Sequence, residues 1–175
     1  MTTRDAQAPA DAQFIGRWSP RAFNGEALSH AQVMTLIEAA RWAPSCFNSQ
    51  PWRFVYATKD SEHWPAMLSL LMDMNQAWAQ HAGALIAVVS RNTFQGNDAP
   101  APTHSFDTGA AWMSMALQAQ SMGLASHAMW GIEHNDIPTA LNLPDNMQIQ
   151  AMVAVGAVGN KADLPAPLQE REQPS

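Results

Sequence analysis

One apolar segment constrains the fold of this chain more than any other feature. Residues 105–122 have the spacing of a long helix, and Gly123 follows as its C-terminal stop. Apolar side chains lie almost all round that helix, at Ala110, Trp112, Met113, Met115, Ala116, Leu117 and Ala119. Such a helix needs neighbours on every side. In a chain of 175 residues, a second copy is the simplest supplier, so the segment predicts an intimate homodimer.

The other patterns alternate between helix and strand. Ser29 and Gln32 form a capping-box pattern that opens a helix over 29–43, which Pro44 ends. Other helices are predicted at 61–74 and 135–141, and strands at 53–58, 84–89, 125–130 and 149–158. The run 84–89 is apolar on both faces, which is typical of a buried central strand. The predicted class is α+β, with helices around a mixed β-sheet.

Length and organisation favour a single domain over 1–175. Within it we expect residues 1–13 to form a flexible arm and residues 161–175 an extended C-terminal segment. The lone Cys46 excludes a disulfide within the chain. We find neither a signal-peptide pattern nor an apolar run of the ~18 residues that a membrane span requires. These observations predict a soluble, cytoplasmic protein with no membrane partner.

The charge is unevenly distributed. A net charge of −6 argues against nucleic-acid binding, which requires clustered basic residues. Residues 1–53 nevertheless hold five arginines against four acidic residues, whereas 54–160 hold two basic residues against eight acidic ones. The basic capacity is therefore local, and it suits one small anion better than a polyanion.

Two arginines near the N-terminus could bind such an anion. In Arg17-Trp18-Ser19-Pro20-Arg21, two forked guanidiniums flank a hydroxyl, and together they could converge on one phosphate. The spacing alone is weak evidence, because arginine pairs of this kind are more often solvated surface.

A second candidate is the turn-rich stretch 43–52. It places two carboxamides, two hydroxyls and one thiol between Trp42 and Trp52. These groups could meet the edge and face of a planar heterocycle. The alternative is a structural loop whose Asn and Ser side chains bond to their own backbone.

Taken together, these pieces resemble the nitroreductase family of flavin-dependent oxidoreductases. The run 17–23 is similar to the family's opening motif, and 38–45 with 48–52 is similar to its second. Asn75 to Trp78, Asp107-Thr108-Gly109, Gly123-Leu124 and Gly156 follow in family order. The resemblance implies a nitroreductase-like fold and an intertwined homodimer with two FMN molecules at its interface.

The resemblance also implies roles for particular residues. Arg17, Ser19 and Arg21 would hold the phosphate and ribityl end of FMN, near the backbone of Trp18. From the opposite subunit would come Pro44, Ser45, Cys46 and Asn48. Gln50 and Asn75 would lie near the ring system, and Ala128, Met129, Trp130 and Gly131 beside its reactive edge. NADH or NADPH would deliver hydride and leave before a small acceptor, such as a nitro compound, quinone or enone, takes its place. No catalytic acid or base is required.

Two departures from the family pattern stand out. The family usually carries a final basic pair over the phosphate, and this chain ends at Ser175 before one appears. This predicts either a truncated sequence or weaker FMN binding. At Trp130, where many relatives have a small or acidic residue, an indole would either narrow the acceptor pocket or stack in the core. The alternatives are therefore a flavin-binding protein for storage or sensing, without substantial turnover, and a structural dimer that has lost its cofactor.

The remaining motifs are weaker. Asp107-Thr108-Gly109 matches the aspartic-protease tripeptide, but the residues after it favour a helix that Asp107 or Thr108 would cap. Cys46 has no basic neighbour in the sequence that would make it reactive. The histidines lack metal-ligand spacing, and no glycine-rich nucleotide fingerprint occurs.

Overall fold

The computed structural model describes residue 4 and residues 6–174. The remaining positions of the predicted arm, 1–3 and 5, lie outside the described residues, as does Ser175. The helices are α1 (Ala12–Gly16), α2 (His30–Arg41), α3 (Trp64–Ser69), α4 (Asp73–Ala79), α5 (His104–Ser121), α6 (Ile137–Ala140) and α7 (Ala166–Gln169). The strands are β1 (Trp52–Thr58), β2 (Ala84–Arg91), β3 (Ala125–Met129) and β4 (Met147–Gly156).

The strands form one sheet in the order β1-β2-β4-β3. Every pairing between the strands described is antiparallel, so the α+β class is confirmed but the expected mixture of strand directions is not found. The reason lies in the connections. Two helices, α3 and α4, link β1 to β2 and return the chain to the end where β1 stopped, so that Thr58 pairs with Ala84.

Helices cover both faces of this sheet. Along β2, Leu85, Ala87 and Val89 face a core that also holds Trp64 and Trp78 from α3 and α4. The alternate residues of β2 face a second core, which is completed by apolar side chains of α2 and α5. The period-two alternation places both faces of one strand in apolar surroundings. The predicted buried central strand is therefore confirmed.

One predicted helix is two helices in the structure. The pattern over 61–74 predicted a single helix, but α3 ends at Ser69 and α4 begins at Asp73. Leu71 lies between them, fully buried, and pairs with Ile132 in an isolated antiparallel bridge. The Met72 amide also donates to the Gly131 carbonyl. These contacts take the backbone out of helical geometry, which periodicity alone could not indicate.

The long helix α5 is covered on one face only within a single chain. Ala111, Met115 and Ala119 are buried, one turn apart, against the sheet and α2. On other faces Phe106 is 82% exposed, and Met113 and Leu117 are only partly buried. Within the part of the chain described, no helix has the length and apolar character needed to cross a membrane.

Candidate functional site

Four arginines line a single cavity of about 340 Å³. They are Arg4, Arg17, Arg21 and Arg171, and the other lining residues are Trp18, Ser19, His127 and Gln173. The predicted motif 17–21 thus brings its two guanidiniums and its hydroxyl to one place, where the Arg17 Nη1 donates to Ser19 Oγ at 3.3 Å. We call this region the arginine cavity. Its volume lies at the lower end of the range of small-molecule sites.

The arginine cavity carries positive charge with little compensation. Burial lowers the pKa of the Arg17 guanidinium, and the positive charge of Arg4 lowers it further. Among the described residues, Glu172 is the one carboxylate within 4.0 Å of these arginines, at 4.0 Å from Arg21 Nη1. Crowded guanidiniums of this kind favour an anion between them.

Two side chains fix the backbone around the arginine cavity. Glu172, whose side chain is 3% exposed, accepts hydrogen bonds through Oε1 from the amides of Arg21 at 2.8 Å and Ala22 at 2.9 Å. Arg4 Nη1 donates to the carbonyls of Ile15 at 2.9 Å and Arg17 at 2.7 Å. Both chain ends therefore hold the motif 17–21 in place.

His127, on β3, forms another wall of the arginine cavity. Its Nδ1 lies 3.1 Å from the Pro20 carbonyl, and its ring centroid lies 4.8 Å from that of Trp78. Burial lowers the pKa of the ring, the Pro20 hydrogen bond offsets this in part, and the charge of Arg21 lowers the pKa again. A neutral His127 with its Nδ1 hydrogen on Pro20 follows from this environment.

The sequence analysis counted Arg4 among the five arginines of residues 1–53 without assigning it to the site, and it missed His127, Arg171 and Glu172 as site residues. Each lies far along the chain from residues 17–21 or inside a segment with no motif of its own. The available signals were the arginine excess of residues 1–53, which includes Arg4, and the presence of Arg171 in the C-terminal segment. Its convergence on Arg17 and Arg21 follows from tertiary structure.

The stretch 44–50, which we call the strained loop, leaves α2 and enters β1. Cys46–Asn48 form one 3₁₀ turn. Ser45 Oγ accepts from the Gln50 amide at 3.0 Å, and Gln50 Nε2 donates to Asn48 Oδ1 at 3.0 Å. Predicted site residues therefore hold one another in position, as the structural alternative for this loop expected.

The strained loop has an unusual backbone. Phe47, Asn48 and Gln50 have φ values of 51°, 53° and 46°. This left-handed region costs residues such as Phe and Gln roughly 1–2 kcal/mol, whereas Asn tolerates it. Phe47 is 90% exposed, and its ring meets Phe94 edge-on with centroids 6.0 Å apart. Costly conformations at exposed, non-glycine residues are more common at functional sites than elsewhere.

Asp107 holds the strained loop from α5. Its Oδ2 accepts from the Cys46 amide at 3.1 Å and from Thr103 Oγ1 at 3.0 Å. The prediction that Asp107 or Thr108 caps the helix is wrong: the cap position is Thr103, without a capping side-chain bond, and Asp107 lies inside α5. Thr108 Oγ1 is buried with no hydrogen-bond partner among the described residues.

A third group of predicted residues lies around the end of β3. Asn75 Nδ2 donates to the Gly131 carbonyl at 2.9 Å, and Asn75 Oδ1 accepts from Trp78 Nε1 at 3.2 Å. A Cβ at Gly131 would lie 2.7 Å from Asn75 Nδ2, so the glycine here makes room for Asn75. Met129 is buried, whereas Trp130 is 66% exposed and leans on His134 with ring centroids 4.3 Å apart. Of the two alternatives given for Trp130, stacking in the core of its own chain is therefore not the one found.

The structure brings these groups together only in part. Ala128 and Met129 continue the strand that carries His127, so the third group adjoins the arginine cavity. The strained loop lies at the other end of α5. Asp107, at the strained loop, and Gln120, which lines a smaller cavity with Arg17, are thirteen residues apart, about 20 Å at the helical rise.

The remaining sequence candidates stay unremarkable. Cys46 is half-buried and unpaired. Within residue 4 and residues 6–174, no group of histidine, cysteine or carboxylate side chains could hold a metal ion.

Comparison with known proteins identifies the family. The nitroreductase family model matches residues 15–76 and 64–157, which is most of the chain. This chain belongs to the nitroreductase family, and the resemblance of its motifs is confirmed.

Individual relatives agree with this result. A crystal structure of an oxidoreductase containing FMN is 47% identical, with a TM-score of 0.95 over 98% of this chain and 88% of that chain. The NADH dehydrogenase of Thermus thermophilus is 27% identical over 171 residues, covering 81% of this chain and 83% of that protein. A candidate nitroreductase of Exiguobacterium sibiricum, solved in complex with FMN, is 22% identical with a TM-score of 0.75, covering 98% of this chain and all of that one; at that identity it supports the fold alone.

Proposed function

We propose that this chain binds FMN and uses it to transfer hydride from NADH or NADPH to a small oxidised acceptor, such as a nitro compound, a quinone or an enone. The observation that carries the proposal is the convergence of four arginines on one cavity in a chain of the nitroreductase family. The relative that is 47% identical contains FMN, and another relative is an NADH dehydrogenase. When bound, FMN supplies the hydride chemistry that amino-acid side chains lack.

The residues of the arginine cavity suit the phosphate end of FMN. Guanidiniums bind phosphate through paired, charge-assisted hydrogen bonds, and Ser19 adds a hydroxyl. The lowered pKa of Arg17 reflects burial and the repulsion of Arg4, which a phosphate would relieve. Buried Arg4 Nε has no hydrogen-bond partner among the described residues, so a donor remains available. Arg4 and Arg171 supply positive charge that the sequence motif at 17–21 does not contain.

The site further requires a homodimer. Asp107, which holds the strained loop, and Gln120, which lines the smaller cavity beside Arg17, lie about 20 Å apart along α5. A second copy would therefore bring its strained loop to the first copy's arginine cavity. The open face of α5, with Phe106, Met113 and Leu117, supplies apolar surface for that association. In the proposed dimer each site combines the arginine cavity of one subunit with Pro44, Ser45, Cys46, Asn48 and Gln50 of the other.

The protein's part in the reaction is binding and orientation. Arg17, Ser19 and Arg21 fix the phosphate end. Backbone groups at 128–131 form the end of β3 and the two residues after it, where they can face the ring system. Their amide hydrogens would stabilise negative charge that develops on hydride transfer. Asn75 holds the Gly131 carbonyl, and thereby fixes the direction of this backbone.

Anaerobic reduction tests the proposal. Purified full-length chain is reconstituted with FMN and mixed with NADH or NADPH while the visible flavin band is followed. We expect one of the nucleotides to bleach the band rapidly and a quinone to restore it. Free FMN at the same concentration is the control. If neither nucleotide bleaches the protein sample faster than free FMN, the proposed reductase function is wrong.

Trp130 supports a second candidate function, in which the chain stores or senses FMN without substantial turnover. Its indole is 66% exposed next to the 128–131 backbone and could cover the acceptor face. In that case FMN binds tightly but reduction is slow, and Trp130→Ala accelerates it. If wild type is reduced quickly and Trp130→Ala changes only the choice of acceptor, the storage function is excluded.

A further inference from the structure

Asp107 is a buried carboxylate for which the proposed function has no use so far. It is 4% exposed and lies in the first turn of α5. Negative charge is favoured there, because the helix N-terminus presents the positive end of the helix dipole. Its side chain nevertheless reaches out of the helix to the Cys46 amide, 61 positions earlier in the chain. This carboxylate therefore ties two segments that are distant in sequence.

The hydrogen bond from the Cys46 amide to Asp107 lies directly before the residues of the strained loop that have positive φ. Cys46 immediately precedes Phe47 and Asn48, two of the residues with positive φ. A second tie, from the Gln50 amide to Ser45 Oγ, closes the loop on itself but does not attach it to the rest of the molecule. Among the described side chains, Asp107 makes the one hydrogen bond recorded between the 44–50 backbone and α5.

Thr103 holds Asp107 in turn. Its Oγ1 donates to Asp107 Oδ2 at 3.0 Å. Asp107 Oδ2 therefore accepts one hydrogen bond from the Cys46 amide and one from Thr103. The arrangement fixes the carboxylate before the loop meets any ligand. Such a pre-set geometry lowers the ordering that binding would otherwise require.

We propose that Asp107 is a positioning residue for the cofactor site. By accepting a hydrogen bond from the Cys46 amide, it holds the strained loop in the conformation that contacts FMN bound to the partner subunit. This inference rests on the proposed function. Asp107 touches no cofactor itself and acts only through the backbone at Cys46.

Three variants test the role of the carboxylate. Asp107→Leu removes both hydrogen bonds, Asp107→Asn retains an acceptor oxygen without the charge, and Thr103→Val removes only the hydroxyl donor. For each full-length variant we would measure FMN affinity, visible circular dichroism of the bound flavin, and amide hydrogen exchange of residues 44–50. The first two measurements report on the cofactor's surroundings, which a purely structural role elsewhere would leave unchanged.

We expect Asp107→Leu to weaken FMN binding about 10-fold or more, because the loop loses a charge-assisted hydrogen bond. Its 44–50 amides should exchange faster, and the flavin signal should change. Asp107→Asn should restore most of the affinity, and Thr103→Val should cause a smaller loss than Asp107→Leu, because it removes only one of the two hydrogen bonds to Oδ2. If Asp107→Leu folds and matches wild type in FMN affinity and flavin signal, the inference is wrong.

Two further outcomes are decisive. If Asp107→Leu does not fold, Asp107→Glu replaces it: the longer side chain keeps the charge but displaces the carboxylate, and unchanged FMN affinity and flavin signal in that variant would contradict the inference. If the wild-type chain itself neither binds FMN nor is reduced, the proposed function fails, and the role of Asp107 fails with it. If the wild-type chain is reduced normally and Asp107→Leu is unchanged in FMN affinity and flavin signal, the Asp107 inference alone is overturned.

Discussion

The regions at the two ends of α5 differ in their chemistry. At the C-terminal end, the arginine cavity gathers four guanidiniums around about 340 Å³. At the N-terminal end, the strained loop offers one exposed ring and a backbone held by hydrogen bonds. We therefore expect the region at the C-terminal end to select a ligand by its charge and the region at the N-terminal end to select it by its shape. The arginine cavity should therefore bind any phosphate of suitable size, whereas the strained loop should distinguish the ring that the phosphate carries.

The largest effect is expected from loss of charge. Arg17→Ala and Arg21→Ala each remove a charge-assisted contact worth about 1.5–3 kcal/mol, so each should weaken FMN binding about 10- to 100-fold. Riboflavin lacks the phosphate, and its weaker binding should barely change. Arg41→Ala is the matched control, since Arg41 pairs with Glu38 on an exposed helix end. Titration by flavin fluorescence measures the affinity of all three variants for FMN and for riboflavin. Equal losses for riboflavin and FMN would contradict the phosphate assignment.

Hybrid dimers test whether the two ends act in trans. One subunit carries Arg17→Ala with Arg21→Ala, and the other carries Ser45→Ala with Asn48→Ala. If each site combines both subunits, every hybrid dimer has one intact site, so random pairing should restore roughly a quarter of wild-type sites. Each doubly substituted homodimer should be nearly inactive. Mixtures no more active than the homodimers would mean that each site lies within one subunit.

The difference between the two ends also explains what the sequence could predict. The arginine motif at 17–21 is local, so its convergence is visible from spacing. Arg171 and Glu172 join it only because the C-terminal segment folds back. The capping box at Ser29 was likewise predictable, because both of its partners lie within one turn. The α+β class followed from periodicity, but strand direction did not.

The strained loop shows the opposite limit. Asn48 is a residue type that tolerates positive φ, but nothing in the letters at 44–50 indicates the positive φ values of Phe47 and Gln50. Asp107 was predicted to cap the helix because its position suited a cap, whereas its side chain accepts hydrogen bonds from the distant Cys46 amide and from Thr103 Oγ1. The helix predicted at 61–74 failed for the same reason: the Leu71 bridge to Ile132 is tertiary.

A smaller effect, on the free energy of unfolding, should distinguish backbone strain in the strained loop from the loss of an exposed side chain. Phe47 and Phe106 are both highly exposed, but Phe47 has a φ of 51° and Phe106 lies within α5. In Phe47→Gly, relief of about 1–2 kcal/mol of strain is offset by the entropy that glycine adds to the unfolded chain, so the free energy of unfolding should stay level or rise. Phe106→Gly should lower it by about 1 kcal/mol. Urea unfolding of both variants compares them directly. An equal decrease in both would show that the strained loop stores no strain.

The smallest effect concerns pH, and it should appear at the arginine cavity alone. The pKa of His127 is lowered in the fold from 6.5, so the unfolded chain takes up the proton first. The stability that neutral His127 provides is fully present above pH 6.5 and is lost as the pH falls toward the lowered value. The loss cannot exceed about 1.4 kcal/mol per pH unit.

His127→Asn keeps an amide donor for the Pro20 carbonyl and should flatten this dependence, whereas Thr103→Val, at the strained loop, should not. Urea unfolding between pH 8 and 5 measures the difference. Added inorganic phosphate should reduce the loss in wild type, because an anion among the arginines favours the protonated ring. Parallel pH curves for wild type and His127→Asn would mean that His127 does not couple protons to this site.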